Sequence, residues 1–315
     1  MEIRPVTMAD AADLHSLHRR WETVWNAPMV TPFEEIVEEL ERPHFNLDTD
    51  SLGFWEDGRV IAYGQVWHRP SGIRQERAYM QGWVDPEHRG RGLGRQLFQW
   101  QIDRGTALLL SVENDLPKYL RADEWDWIEE AHRLYLRFGF EPVRFFAEML
   151  KPLTEIRPVI EIEDVEIVSW DRSMDERAMA VINESFADHW GSTPTDAVSF
   201  QHQLNGTGAR PDLSFMAISQ GQVVGVALNA HFPEDEELLG RRDGWVDVLG
   251  VVRPFRKRGI ASALLQSSFA AFRAAGMTHS AIGVDTASPT DAFKLYADLG
   301  YEVTHRSITS EIQVG

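Results

Sequence analysis

The 315-residue sequence predicts an α/β protein made of two tandem domains, each a mixed sheet with flanking helices. Two observations carry this expectation. Strand-like and helix-like stretches alternate along the chain, and the order of stretches in the first half recurs in the second. The length also suits two domains better than one.

In the first half, "MEIRPVT" reads as an opening strand before an amphipathic helix. "GRVIAYGQVW" and a stretch ending "QGWVDP" read as strands, and the loop "RGRGLG" follows. Leu93, Leu97, Phe98 and Ile102 recur at helical spacing, and Gly105 is a natural helix stop. "ALLLSVEN" then reads as the fifth strand and "IEEAHRLYLRFGF" as the last helix, with Asp126 and Glu129 as its start signal. In the second half, "VEIVSWD", "GQVVGVALNA" and "GWVDVLGVV" read as strands before the loop "RKRGIA". Ile260, Leu264, Leu265 and Phe272 mark a helix that Gly276 ends, and "SAIGVDT" follows as a strand. Ser288-Pro289-Thr290-Asp291 reads as the capped start of the final helix, and Gly139 and Gly300 close the two final helices. Gly92 aligns with Gly259, Tyr135 with Tyr296 and Gly139 with Gly300. The expected domains are residues 1–152 and 164–315, joined by a proline-bearing linker over 153–163.

Composition narrows the function. Hydrophobic residues make up 43%, enough for packed cores. With 31 basic and 49 acidic residues the formal charge is -18, which argues against nucleic acid or an anionic membrane as a partner and is compatible with a cationic substrate. An acidity that only serves solubility is the plain alternative. Cysteine is absent, so disulfides, thiolate metal sites and a cysteine nucleophile are excluded. No signal peptide is legible at the N-terminus and no apolar run approaches the ~18 residues that span a bilayer, so a cytoplasmic protein is expected. Oligomeric state leaves no mark in the sequence.

The glycine loop carries the chemistry. Arg89-x-x-Gly92-x-Gly94 follows a strand and turns into a helix; its glycines let amides approach an anion, the helix start adds partial positive charge, and Arg89, Arg91 and Arg95 add full charges. That suits a pyrophosphate. The second copy, Arg256-x-x-Gly259-x-Ala261, keeps the spacing. A dinucleotide-binding G-x-G-x-x-G is excluded by glycine spacing, and the P-loop, H-E-x-x-H and G-x-S-x-G motifs are absent. His15 and His18 lack further ligands, and "DTDSLG" has Arg59 where a calcium loop needs its closing glutamate, so no metal is expected.

"RGRGLG" and "RKRGIA", with "AHRLYLRFGF" and "AFKLYADLGY", resemble the pyrophosphate loop and the A-x-x-L-Y-x-x-L-G-F helix of the GNAT superfamily of acyl-CoA-dependent N-acyltransferases. The resemblance covers both halves. "ADHWGSTP" and "GVDTASPTDA" resemble the two-domain subgroup that includes mycothiol synthase. The resemblance implies mostly antiparallel, twisted sheets and acetyl-CoA as co-substrate. It implies cofactor contacts at Leu249, Val251, Arg256, Lys257, Arg258, Gly259, Ile260, Ala261 and Ser288, and at Arg89, Arg91, Gly92, Leu93, Gly94 and Asn114 in the first half. An acceptor amine would attack the thioester directly, with a backbone amide near Leu249 to Val251 for the oxyanion and Tyr296 or Tyr135 as general acid. As an alternative, each tyrosine anchors its helix.

Asp247 on "GWVDVLGVV" is a candidate base if it faces the cleft; a solvent-facing aspartate is the alternative. Glu76 is a weaker candidate in the first half. His189 and Trp190 would line the acceptor pocket, or serve structure alone. The second domain is expected to be catalytic, acting on a small, cationic primary amine. Residues 115–127, "DLPKYLRADEWDW", are expected to be an insertion that caps or blocks the first site. A cysteinyl-glucosaminyl-inositol acceptor and a non-catalytic acyl-CoA sensor are the other readings.

Overall fold

A computed structural model describes residues 1–287 and 292–314, so the expected cap at Ser288 to Asp291 and the cofactor contact at Ser288 lie outside the described residues. The chain divides into two units, Met1–Phe145 with Ser307–Gly315, and Phe146–Arg306. The division therefore falls at Phe145/Phe146 and not at the proline-bearing stretch 153–163. That stretch belongs to the second unit, where Leu153 is buried in the core.

In the first unit the chain runs β1 (Glu2–Arg4), α1 (Ala11–Trp25), α2 (Phe33–Leu40), α3 (Leu47–Asp50), β2 (Ser51–Glu56), β3 (Arg59–His68), β4 (Glu76–Val84), α4 (Leu93–Leu110), β5 (Lys118–Trp125) and α5 (Glu129–Arg137), then enters β6 (Glu141–Pro152). β1 to β4 pair antiparallel in sequence order. β5 lies parallel to β4, a pairing that needs a crossover, which α4 supplies. Ser307–Val314, from the end of the chain, then pairs antiparallel with β5. β3 is apolar and buried along nearly its whole length, as befits a central strand covered on both faces. One face packs Leu14 and Leu17 of α1 with Ile36 and Leu40 of α2. The other packs Leu97 of α4 on Ala62, and Phe98 on Met80, Ala122 and Phe140.

The second unit repeats the plan: β7 (Glu166–Ser169), α6 (Asp175–Ser185), α7 (Ala197–Asn205), β8 (Phe215–Ser219), β9 (Gln222–His231), α8 (Asp235–Leu239), β10 (Asp243–Val251), α9 (Ile260–Ala274), β11 (His279–Asp285), α10 (Ala292–Asp298) and β12 (Glu302–Val314), whose end is the strand that pairs with β5. β7 to β10 pair antiparallel, β11 lies parallel to β10, and Phe146–Pro152 of β6 closes the far edge against β11. Each unit thus draws its last strand from the other half of the sequence.

Three expectations in the first half are corrected. Gly105 does not end its helix; α4 continues to Leu110, so "ALLLSVEN" is helix and turn. A Cβ at Gly105 would lie 2.6 Å from Leu120 and 3.5 Å from Ala78, so this glycine serves close helix-to-sheet approach. The fifth strand is Lys118–Trp125, which lies inside the expected insertion, so no capping segment follows it. The residue before α5 is Ile128, and neither it nor Asp126 supplies a side-chain cap.

Candidate active site

Both sheets open at the same point. β4 and β5 are paired from Glu76/Lys118 to Met80/Ala122 and then part, with β4 continuing to Val84 and β5 to Trp125. β10 and β11 are paired from Asp243/His279 to Val246/Ile282 and then part in the same way. Each V leaves, among the described residues, a length of strand that its former neighbour no longer pairs with. Leu249 and Val251 lie on the open arm of β10.

In the first unit, β4 leads into a turn fixed by buried Asp85, which accepts from Arg20 at 2.7 Å and Arg59 at 2.9 Å. Gly90 (φ 76°) and Gly92 (φ 82°) are left-handed, a region that a side chain disfavours. Gly92 caps α4, whose first amides at Leu93 and Gly94 have no partner within the helix. The cleft between this loop, the open V and α5 has a volume of about 570 Å³, and Met80, Gly82, Glu124, Leu134 and Tyr135 are among the residues that line it. Arg89 pairs with Glu130 and lies over the Trp25 ring at 4.6 Å. Arg91 pairs with Glu56 through two 2.7 Å bonds, which pull the Glu56 carboxyl down to about 2.

Tyr135 is half-buried and stacks on Phe98 at 5.1 Å. Burial, then the charges of Glu124 and Asp123, hold its hydroxyl well above the ordinary phenol range. Burial also pushes Glu124 up to about 7, with the Trp125 amide opposing and the Asp123 charge adding. Sequence reasoning missed Glu124 because its strand read as an insertion. Asn114 is corrected: it precedes β5, and its amide donates to Glu76 at 2.9 Å, at the opposite end of β4 from the glycine loop. Glu76 is buried there, accepting also from the Ser71 and Gly72 amides, so it does not reach the V.

In the second unit, Lys257 (φ 60°) and Gly259 (φ 88°) are left-handed, and Gly259 caps α9 ahead of Ile260 and Ala261. Arg256 is a structural tie: it donates to the Val251 carbonyl at 3.0 Å and to the Ser185 carbonyl at 2.8 Å, fastening the β10 arm to the end of α6. Arg258 donates to the Glu163 carbonyl at 2.8 Å and lies over Phe255 at 5.2 Å. Among the described residues, no carboxylate pairs with Arg256, Lys257 or Arg258, so this loop keeps its positive charge, unlike its counterpart.

Asp247 occupies a register shift in the β9–β10 pairing, just where β10 leaves β11. Its Oδ2 accepts from Gln203 of α7 at 2.7 Å, so it faces the α6–α7 side of the sheet. It is open to solvent, yet protein packs around it. That crowding pushes its carboxyl up, and the Gln203 bond opposes. Tyr296 lies on the opposite face, 6% exposed, with Val246, Phe269 and Tyr301. Burial pushes its hydroxyl up to about 12. His189 follows α6; its Nδ1 lies 3.1 Å from the Trp190 carbonyl oxygen and its Nε2 3.9 Å from Asp285 Oδ2. Asp247 and His189 thus share the α6–α7 side, and Tyr296 does not.

Among the described residues, no group of three or more His, Asp or Glu side chains is placed to hold a metal ion, and no helix is long and apolar enough to cross a membrane.

A model of the acetyltransferase (GNAT) domain matches residues 50–142, and one of the acetyltransferase (GNAT) family matches residues 176–301. The chain is 30% identical over 221 residues to a mycothiol acetyltransferase of Thermobispora bispora, covering 69% of this chain and 70% of that protein. Its fold is similar to the crystal structure of a GCN5-related N-acetyltransferase from Sphaerobacter thermophilus (26% identity, TM-score 0.74, covering 99% of this chain and 95% of that one). It is also similar in fold to a tandem GNAT protein from the clavulanic acid biosynthesis pathway (14% identity, TM-score 0.70, covering 100% and 98%).

Proposed function

The chain belongs to the GNAT acetyltransferase family, and from that premise we propose that it moves an acetyl group from acetyl-CoA to the primary amine of a small, cationic acceptor, with the chemistry in the second unit. The observation that carries this reading is the open V of β10 and β11, which ends on a loop whose charge no carboxylate cancels among the described residues. A diphosphate fits such a loop: left-handed Lys257 and Gly259 turn amides outward, and α9 begins there. Bound there, the co-substrate supplies the thioester. The open arm at Leu249 to Val251 offers an amide to the oxyanion, and Tyr296, protonated across the neutral range, would serve the departing thiolate. Asp247, on the face where an acceptor can enter, attracts an ammonium group.

The first unit has the cleft and the glycines, but Glu130 and Glu56 occupy Arg89 and Arg91, and the β3–β4 pairing has no register shift like the one that holds Asp247. That weighs against a diphosphate, and so against turnover, in this unit. A second reading, a cysteinyl-glucosaminyl-inositol acceptor, is supported by the Thermobispora bispora relative.

The test is thiol release from acetyl-CoA by the native chain with a panel of primary amines that includes cadaverine, glucosamine and cysteinyl-glucosaminyl-inositol. Amine-dependent release at a cationic acceptor supports the reading. A preference for the cysteinyl compound shifts it to the second acceptor, and binding of acetyl-CoA with no transfer to any amine leaves only a sensor.

A further inference from the structure

Resting on that reading of the second unit, we propose that His189 takes the acceptor's proton and that Asp285 positions it. The two arms of the V are joined across the α6 face by one short segment. On the β10 arm, a Cβ at Gly250 would lie 3.1 Å from Ser185 and 3.6 Å from Phe186, so the end of α6 rests directly on that strand. On the β11 arm, the strand ends at Asp285, only 2% exposed. His189 spans the interval, edge-on to Phe186 at 5.6 Å and with Nε2 3.9 Å from Asp285 Oδ2. The other face is filled by α9 and α10 side chains, including Phe269 and Tyr296. An acceptor therefore enters on the side that His189 overlooks.

The ring's hydrogen bond sets its chemistry. Nδ1 faces the Trp190 carbonyl oxygen, which can only accept, so hydrogen-bonding logic assigns the neutral ring's hydrogen to Nδ1. Nε2 keeps its lone pair and is the nitrogen beside Asp285. Asp285 Oδ1 accepts from the Ala287 amide at 2.9 Å, which fixes the carboxylate's orientation. A gap of 3.9 Å is too long for a hydrogen bond. It is short enough for the carboxylate's charge to stabilise a proton held on Nε2. Of the other charged groups nearby in chain or strand, Asp188 is paired with Arg253, and Asp247 is bonded to Gln203. Among the described residues, Asp285 is thus the carboxylate that the ring meets at close range.

In the step, the acceptor's ammonium gives one proton to Nε2, and the imidazolium is stabilised by Asp285. The freed nitrogen lone pair forms the bond to the thioester carbonyl carbon. The carbon–sulfur bond then breaks with its electron pair on sulfur, which takes a proton from Tyr296; the nitrogen's second proton leaves to solvent on the His189 side, and solvent returns one to Tyr296. His189 returns its proton to solvent. Asp247 attracts the cation without taking the proton.

The test uses the full chain, acetyl-CoA and the best amine of the panel. His189→Ala should lower kcat by about 10²-fold or more, with acetyl-CoA affinity by calorimetry unchanged, and added imidazole should restore part of the rate. If His189→Ala loses acetyl-CoA binding, His189→Gln, which fills the space and cannot take the proton, carries the same expectation. Asp285→Asn should lower kcat and leave the KM for acetyl-CoA unchanged. A kcat within about threefold of native in a His189 variant that binds acetyl-CoA normally overturns the assignment, and so does a lost rate that imidazole leaves unrestored. Failure of the native chain to acetylate any amine overturns the function itself, and this step with it.

Discussion

Arg91 and Arg258 hold matching places in the two loops and differ in electrical state. Arg91 is neutralised by a bidentate pair with Glu56, whereas Arg258 touches a backbone carbonyl and a ring. Charge-assisted contacts to phosphate are among the stronger hydrogen bonds. Arg258→Glu should therefore weaken acetyl-CoA binding by roughly 10²-fold, a loss of ~2.7 kcal/mol, read by calorimetry; unchanged affinity would remove the loop from the site. Glu124 offers a second measurement at this scale. Its carboxyl titrates near 7 in the fold, above the ordinary range. The folded state thus binds its proton more tightly than the unfolded state, and its contribution makes stability fall as pH rises from about 4.5 to 7. Glu124→Gln should flatten that decline, so that the variant gains on the native chain at pH 8 and not at pH 4. Parallel urea-midpoint profiles for the two proteins would contradict it.

At the scale of elements, legibility followed spacing. The two loops, the helices that follow them and the left-handed Gly139 and Gly300 were readable because each depends on residues a few positions apart. β5 was not. Its Leu120 and Ala122 face the core, while Arg121 on the other face donates to Glu311, which also accepts from Arg77. A charged face reads as a loop until the end of the chain is brought beside it, and that pairing spans 190 positions. "ALLL", apolar and strand-like, is the end of α4 for a tertiary reason: Gly105 lets the helix lie close on Leu120. Asp247 and His189 were legible as candidates. Asp285 was not, because only folding brings β11 beside the end of α6. Gly105→Ala tests the packing. A roomy helix position would gain up to ~1 kcal/mol from alanine, whereas insertion into this contact should cost ~1–3 kcal/mol. A raised denaturation midpoint would contradict the close approach.

For the whole molecule, the formal charge of -18 would favour approach of the proposed cationic acceptor over an anionic one. The value of kcat/KM for a cationic amine should fall with added salt as screening grows; a salt-independent value, with preference for an uncharged acceptor, would assign the charge to solubility alone. Duplication gave two open sheets and two glycine loops, and turnover is proposed for one of them. Tyr135 and Tyr296 sit at matching positions of α5 and α10, so the same substitution in each compares the two units within one chain. The deciding measurement is kcat for amine acetylation in Tyr296→Phe and Tyr135→Phe, with melting temperatures alongside. Tyr296→Phe should lose roughly 10²-fold or more, Tyr135→Phe should keep near-native kcat, and neither should change the melting temperature much. Equal losses, or a loss confined to Tyr135→Phe, would contradict the proposal.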